Sequence, residues 1–182
     1  MIIGRDKLDQ INGVRQKLLS FEKFLQNYPE WRNKVVLIQV TTPPPHEIPK
    51  LESQVSELVS RINGQYGSLE FSPVRHYHQH LDQDEYFALL ALADASLVTT
   101  VRDSMNLMAL EFIVCQDGNH SPLIISEFTG TSGSLSAALL VNPWDYLGVA
   151  QCINEALCMS KEEKLSKHQV GLFLSIKSCL MS

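Results

Sequence analysis

Apolar positions along the 182 residues fall into two kinds of segment that alternate. Short, nearly unbroken apolar runs are separated by stretches in which apolar residues recur every three or four positions. Met1–Gly4 opens the chain as a short strand. Val14, Leu18, Phe21, Leu25 and Tyr28 then step by four, three, four and three, which places all five on one helix face. Pro29 ends that helix, since its ring removes a donor and clashes with the preceding turn. Residues 35–40, VVLIQV, are β-branched and apolar at both alternations, as in a strand covered on both faces. TTPPPHEIP (41–49) reads as a loop.

The next helix carries Leu51, Val55, Leu58, Val59 and Ile62, with its end expected at Asn63-Gly64. A short strand follows at Val74–Tyr77. Asp82, with Glu85 three residues on, has the form of a capping box opening a helix to about Ala93. SLVTT (96–100) is a strand, 105–116 a helix, PLIIS (122–126) a strand and ALLV (138–141) another. Asp145 caps a helix with Val149, Cys152, Ile153, Ala156 and Leu157 inward. After Ser160 the chain is polar and then weakly amphipathic. The order β-α-β-α-β-α-β-α-β-β-α, with mostly apolar strands, predicts a doubly wound α/β domain built on a mostly parallel sheet. It spans residues 1–160, with 161–182 as a tail. Ligands of such sheets bind beyond the carboxyl ends of the strands, where strand order reverses.

Composition narrows the function. Hydrophobic residues make up 45% and charged residues 19%, enough to expect a packed core. The formal net charge of −5 disfavours sequence-independent nucleic-acid binding, which needs clustered cations. Cys115, Cys152, Cys158 and Cys179 form no C-x-x-C pair and read as reduced, mostly buried thiols, so a cytoplasmic setting is expected. MIIGRDKLDQ lacks the apolar stretch of a signal peptide, and no run of 18 apolar residues predicts a membrane span.

Four loops at expected strand ends could carry chemistry. In TTVRDSMNL (99–107), a strand gives way to a helix. The N–H groups of Ser104, Met105 and Asn106 would be unpaired at the positive end of the helix dipole and could hold a phosphate. Glu111, inside that helix, could take ribose hydroxyls. The same residues also suit a ligand-free reading, with Asp103 as helix cap, Arg102 paired to it and Glu111 in solvent. In GRDKLDQINGVRQK (4–17), Lys7 could neutralise a diphosphate, or the segment is a solvated turn bending at Asn12-Gly13. His76, His78 and His80 would project to one face of a strand. No second ligand cluster accompanies them, so no metal site is assigned. In SEFTGTSGSLSAALLVNPWD (126–145), small residues would let the backbone pass close to a ligand. There is no G-x-S-x-G, G-x-G-x-x-G, Walker loop or D-x-D-x-[TV] motif.

The strings GRDKLDQINGVRQKLLSFEKFL, NYPEWRNKVVLIQV, RINGQYGSLEFSPV, ADASLVTTVRDSMNLMALEFIVCQ, LIISEFTG and ALLVNPWD resemble the trehalose-6-phosphate synthase family of retaining glycosyltransferases, glycosyltransferase family 20. The resemblance runs from about Ile2 to Leu157. In wording it is similar to the synthase-like domain of fungal trehalose-phosphate phosphatases. It implies a GT-B architecture, of which this chain is similar to the second, C-terminal Rossmann-like half, where most of the UDP-glucose site lies. It implies no cofactor and no metal; UDP-glucose is the donor substrate. Asp103, a catalytic residue by this resemblance, matches the family's acidic residue that contacts the transferred glucose. The backbone of Ser104, Met105, Asn106 and Leu107 matches the segment cradling the donor phosphates, and Glu111 matches the ribose-binding glutamate.

The chain departs from the family pattern at the diphosphate. The family's first loop is R-L-D-Y-x-K-G; here it is Lys7-Leu8-Asp9-Gln10-Ile11-Asn12-Gly13. Lys7, at a position with catalytic and binding roles, keeps a charge but loses the bidentate fork of arginine. Asn12 loses a charge. Losing a cation beside a departing diphosphate is worth roughly 3 kcal/mol, or about 10²-fold in rate. Ser104 stands where the family has glycine. TTPPPHEIP has no arginine for an acceptor phosphate. The abrupt start inside the first strand suggests a fragment or shortened product. Two readings follow. One is a UDP-glucose-binding but non-catalytic scaffold that associates with other subunits of a trehalose synthase/phosphatase complex. The other is an active UDP-glucose:glucose-6-phosphate glucosyltransferase, completed by an N-terminal domain or partner.

Overall fold

The computed structural model describes residues 1–43, 48–135 and 137–180, with 171–180 as backbone. Among these, six parallel strands form one sheet: β1 (Ile2–Lys7), β2 (Leu37–Thr42), β3 (Val74–His78), β4 (Ala95–Val98), β5 (Leu123–Ser126) and β6 (Leu139–Val141). Their order is β3-β2-β1-β4-β5-β6. The chain therefore moves outward from β1 to β3, returns to the sheet centre at β4 and moves outward again. The reversal leaves the ends of β1 and β4 side by side with their loops diverging.

The helices are α1 (Val14–Asn27), α2 (Pro49–Tyr66), α3 (Gln83–Leu92), α4 (Leu107–Cys115), α5 (Tyr146–Cys158) and α6 (Lys161–Leu180). α1, α2 and α5 cover one face, where Leu18, Phe21, Val55, Ile62 and Ile153 meet Ile2, Leu37, Leu97 and Ile124. α3 and α4 cover the other, where Leu90 and Phe112 meet Ile3, Val98 and Ile125. Successive strand residues thus feed opposite cores: Ile2 and Ile3, Leu97 and Val98, Ile124 and Ile125. This explains the unbroken apolar runs, since both faces of each central strand are dry.

Several boundaries differ from the expected ones. α2 does not stop at Asn63-Gly64 but runs to Tyr66, capped at Gly67, whose N–H reaches the Asn63 carbonyl. The Asn63 side chain is engaged instead with β3, donating to Val74 O and accepting from Val74 N, both at 2.9 Å. Asp82 stands at the N-cap of α3 but makes no side-chain cap bond, so no capping box forms. Asp145 does cap α5, accepting from Gly148 N at 3.0 Å. The segment expected to be a tail contains α6, which packs against α4. On it, His168 is buried edge-on to His120 with ring centroids 4.9 Å apart.

Of the thiols, Cys152 is buried and pushed up to about 12, first by burial and then by Glu155. Cys115 is half-buried and Cys158 exposed, against the expectation of mostly buried thiols. Cys179 lies outside the residues whose side chains are described. Among the described residues no helix is long and apolar enough to cross a membrane.

Candidate functional site

A cleft of about 430 Å³ opens at the reversal of strand order. One wall is the end of β1 and the loop after it: Arg5, Asp6, Lys7, Asp9, Ile11 and Asn12. The other is the loop after β4 and the start of α4, from Arg102 to Met108, with Thr42 of β2 between them.

The β1 wall is shaped by one carboxylate and one glycine. Asp9 Oδ1 accepts from the N–H groups of Ile11 (2.8 Å) and Asn12 (2.7 Å), and Oδ2 accepts from the Asn12 amide (2.7 Å). The Asn12 side chain therefore lines the cleft but is engaged in closing its own loop. Gly13 has φ +69°, and a Cβ there would land on the Thr99 carbonyl of β4's extension. Only glycine gives this close approach without strain. Gly13 O accepts from Thr99 Oγ1 (3.0 Å) and Ile11 O from Val101 N (2.7 Å), which ties this loop to the neighbouring one. Beneath the wall, Asp6 Oδ2 accepts from the fully buried Lys17 (2.6 Å) and from Gln39 Nε2 (2.8 Å).

The β4 wall is braced from behind by the SEFTG segment. Asp103 and Thr129 form a parallel bridge, and Gly130 N donates to Asp103 O at 3.0 Å. A Cβ at Gly130 would strike the Ser104 carbonyl. The small residues of this segment were expected to let backbone pass a ligand; the close approach they permit is to the 103–104 backbone. Thr131 Oγ1 accepts the Asn106 N–H at 2.8 Å. That corrects one expectation, because the Asn106 amide is already paired. Asn106 is also the true cap of α4: its Oδ1 accepts from Ala109 N (3.0 Å) and its Nδ2 donates to Asp103 Oδ2 (3.2 Å). The helix begins at Leu107 rather than Met105, and Asp103 does not cap it. At its first turn, the N–H groups of Leu107 and Met108 have no partner among the described residues and are open to an anion.

The predicted residues are thus largely brought together. Lys7, Asn12, Asp103, Met105, Asn106 and Leu107 all line the cleft. Ser104 is exposed and Glu111 half-buried, and neither lines it. Ser104 has no left-handed φ, so a side chain at this position causes no backbone strain. Glu111 lies one helical turn beyond Leu107 on the same face. It faces a protein partner rather than solvent, its Oε2 accepting from Tyr86 OH at 2.8 Å. Burial and this carboxylate both push the Tyr86 phenol up. Two residues escaped sequence reasoning. Arg5 lines the cleft with its guanidinium 4.1 Å from the Tyr86 ring centroid. No motif marks that pairing, because it joins residues 81 positions apart in sequence.

The histidines that share a strand face converge on one hydroxyl. His76 Nε2 lies 2.7 Å and His78 Nδ1 2.9 Å from Thr41 Oγ1. His80 lies beyond β3, and among the described residues no group of three potential ligands could hold a metal ion.

Fold and cleft together define a doubly wound α/β domain with an anion-receptive crevice at its topological switch point. Comparison with known proteins makes this specific. The family model for glycosyltransferase family 20 matches residues 1–178, and the chain belongs to that family. It is 48% identical over 175 residues to alpha,alpha-trehalose-phosphate synthase [UDP-forming] A of Dictyostelium discoideum, covering 94% of this chain and 24% of the relative. It is 51% identical over 177 residues to the trehalose-phosphatase of Saccharomyces cerevisiae, covering 90% of this chain and 19% of the relative. The N-terminal domain of Candida albicans trehalose-6-phosphate phosphatase superposes with a TM-score of 0.94 at 50% identity, over 97% of this chain and 38% of that one. A structure from E. coli bound with UDP-2-fluoro glucose superposes with a TM-score of 0.92 at 32% identity, over 97% and 40%. The chain spans about a fifth to a quarter of the length of these two curated relatives.

Proposed function

We propose that this chain is the donor-nucleotide half of a trehalose-6-phosphate synthase-like protein, and that its cleft binds the UDP portion of UDP-glucose. The observation that carries the reading is the convergence on one crevice of Lys7, Asp103 and the open first turn of α4. The diphosphate lies against Lys7 and the N–H groups of Leu107 and Met108, and Asp103 faces the transferred glucose. Glu111 takes the ribose hydroxyls through its second oxygen.

The chain by itself acts as a non-catalytic, scaffolding subunit in trehalose biosynthesis, in the cytoplasm. Asn12 closes its own loop through Asp9 and supplies no cation to a departing diphosphate. Ile11, Met105 and Leu107 stand exposed at the cleft rim, an apolar edge suited to being covered by another subunit of a trehalose synthase/phosphatase complex. Catalysis by an assembly that supplies the acceptor side is the second reading, favoured by the placement of Asp103 in the cleft.

Calorimetric titration with UDP and UDP-glucose tests the reading, with an Asp103→Ala/Glu111→Ala double variant alongside. Binding that the variant loses supports it. No heat at millimolar ligand from a folded chain sinks the donor site and leaves the scaffold alone.

A further inference from the structure

The cleft's charges are unevenly engaged. Each of its three carboxylates is bonded to its own wall: Asp6 to Lys17 and Gln39, Asp9 to Ile11 and Asn12, Asp103 to the Asn106 amide. Its three cations, Arg5, Lys7 and Arg102, form no ion pair among the described residues. With Asp6 neutralised by Lys17, the crevice presents three cations against the two carboxylates of Asp9 and Asp103, a positive excess although the whole chain is net negative.

Arg5 differs from the other two cations. It projects from β1 itself, half-buried, whereas Lys7 and Arg102 are exposed. Its guanidinium rests on the Tyr86 ring, which limits the rotamers it can adopt and lowers the entropy lost when it binds. Tyr86 is itself anchored: it is 4% exposed, and its hydroxyl donates to Glu111. One aromatic side chain from α3 thus holds a cation with its face and a carboxylate with its edge. A nucleoside diphosphate needs both groups, the cation for phosphate and the carboxylate for ribose.

We infer that Arg5 is a diphosphate-binding residue of this cleft, supplying the cation that Asn12 does not, and that Tyr86 is the positioning residue that fixes Arg5 and Glu111 relative to each other. The inference rests on the proposed donor-site reading and adds to it two residues to which the sequence motifs gave no role. A guanidinium grips phosphate oxygens through two parallel N–H bonds, which Lys7 cannot do. The Tyr86 hydroxyl occupies Glu111 Oε2, leaving Oε1 for a ribose hydroxyl.

The test uses the full chain and two probes, inorganic pyrophosphate and UDP, titrated calorimetrically. Arg5→Gln keeps most of the stem that packs on Tyr86 and removes the charge. It should weaken both probes about tenfold, equivalent to about 1.4 kcal/mol, with the thermal midpoint close to that of the unaltered chain. Arg5→Lys should recover only part of this. Tyr86→Phe keeps the ring platform and frees Glu111. It should leave pyrophosphate binding unchanged and weaken UDP about threefold. A merely structural role for Tyr86 would instead weaken both probes together. If the unaltered chain binds UDP and Arg5→Gln binds it equally well, this inference falls and the donor site stands. If the unaltered chain binds neither probe, both fall.

Discussion

The two walls of the cleft face the same space but are built differently. The loop after β4 is held by a third segment: Thr129, Gly130 and Thr131 clamp Asp103, Ser104 and Asn106 through a bridge, a steric fit and a hydroxyl acceptor. The tip of the loop after β1 is held by its own Asp9, and only its flanks, Ile11 and Gly13, reach across to β4's extension. The wall that keeps the family's R-D-x-M-N wording is the one whose backbone is committed to another segment. The wall whose ligand-facing charges depart from the family pattern, at Lys7 and Asn12, is the one closed locally. A locally closed loop can exchange a ligand-facing cation for an amide and keep its shape, because the amide bonds back to Asp9.

Four substitutions or conditions test this contrast, from the largest expected effect to the smallest. Lys17→Met strands the Asp6 carboxylate beneath the β1 wall, where it is 6% exposed. Breaking a buried pair from one side costs about 3–5 kcal/mol, read as a fall in the urea midpoint. An unchanged midpoint would mean that Asp6 finds water and that the wall does not rest on this pair. Gly130→Ala drives a methyl into the Ser104 carbonyl. It should destabilise the fold by about 3 kcal/mol and weaken UDP binding, since it displaces the β4 wall. Loss of stability with full binding would show that the clamp does not shape the site. Asn12→Lys returns a cation to the β1 wall at the expense of one bond to Asp9. UDP affinity should rise about tenfold, or about 1.4 kcal/mol, for about 1 kcal/mol of stability. A fall in affinity would show that loop closure by Asn12 matters more than charge.

The fourth is pH, which acts outside the cleft lining, at His76 and His168. The His76 imidazole sits below its usual 6.5, first because it is buried and then because His78 lies beside it. His168 sits low for burial and its neighbour His120, against the pull of Asp117. Each is neutral in the folded chain at pH values where the unfolded chain already binds a proton. Their contribution is complete above about 6.5 and is lost as pH falls through the lower folded values. The thermal midpoint should drop as pH falls from about 6.5 toward those lower values, and His76→Gln should flatten part of the drop. A midpoint insensitive to pH between 7 and 5 would contradict this.

Much of the architecture was legible in the chain. The steps of Val14, Leu18, Phe21 and Leu25 and the runs in β2, β4 and β5 report burial directly, because periodicity is set by which faces are dry. The candidate loops followed from strand ends. Boundaries failed where a side chain chose a distant partner over a local one. Asn63 bonds to Val74 instead of ending α2; at α4, Asn106 rather than Asp103 is the cap, while the Asp103 backbone bridges to Thr129. Cap signals describe what a residue can do locally; tertiary bonds of similar energy decide what it does.

By itself, then, the sequence determined the alternating β/α plan, the two-sided sheet and the loops that carry Lys7, Asn12 and Asp103, since each depends on residue type and spacing along one segment. Only the tertiary structure decided which N–H groups remain free, that Gly130 serves a backbone and that Arg5 rests on Tyr86 above Glu111. These are contacts between strands and helices far apart in the chain, and a one-dimensional pattern carries no record of which distant side chains the strand order will bring together.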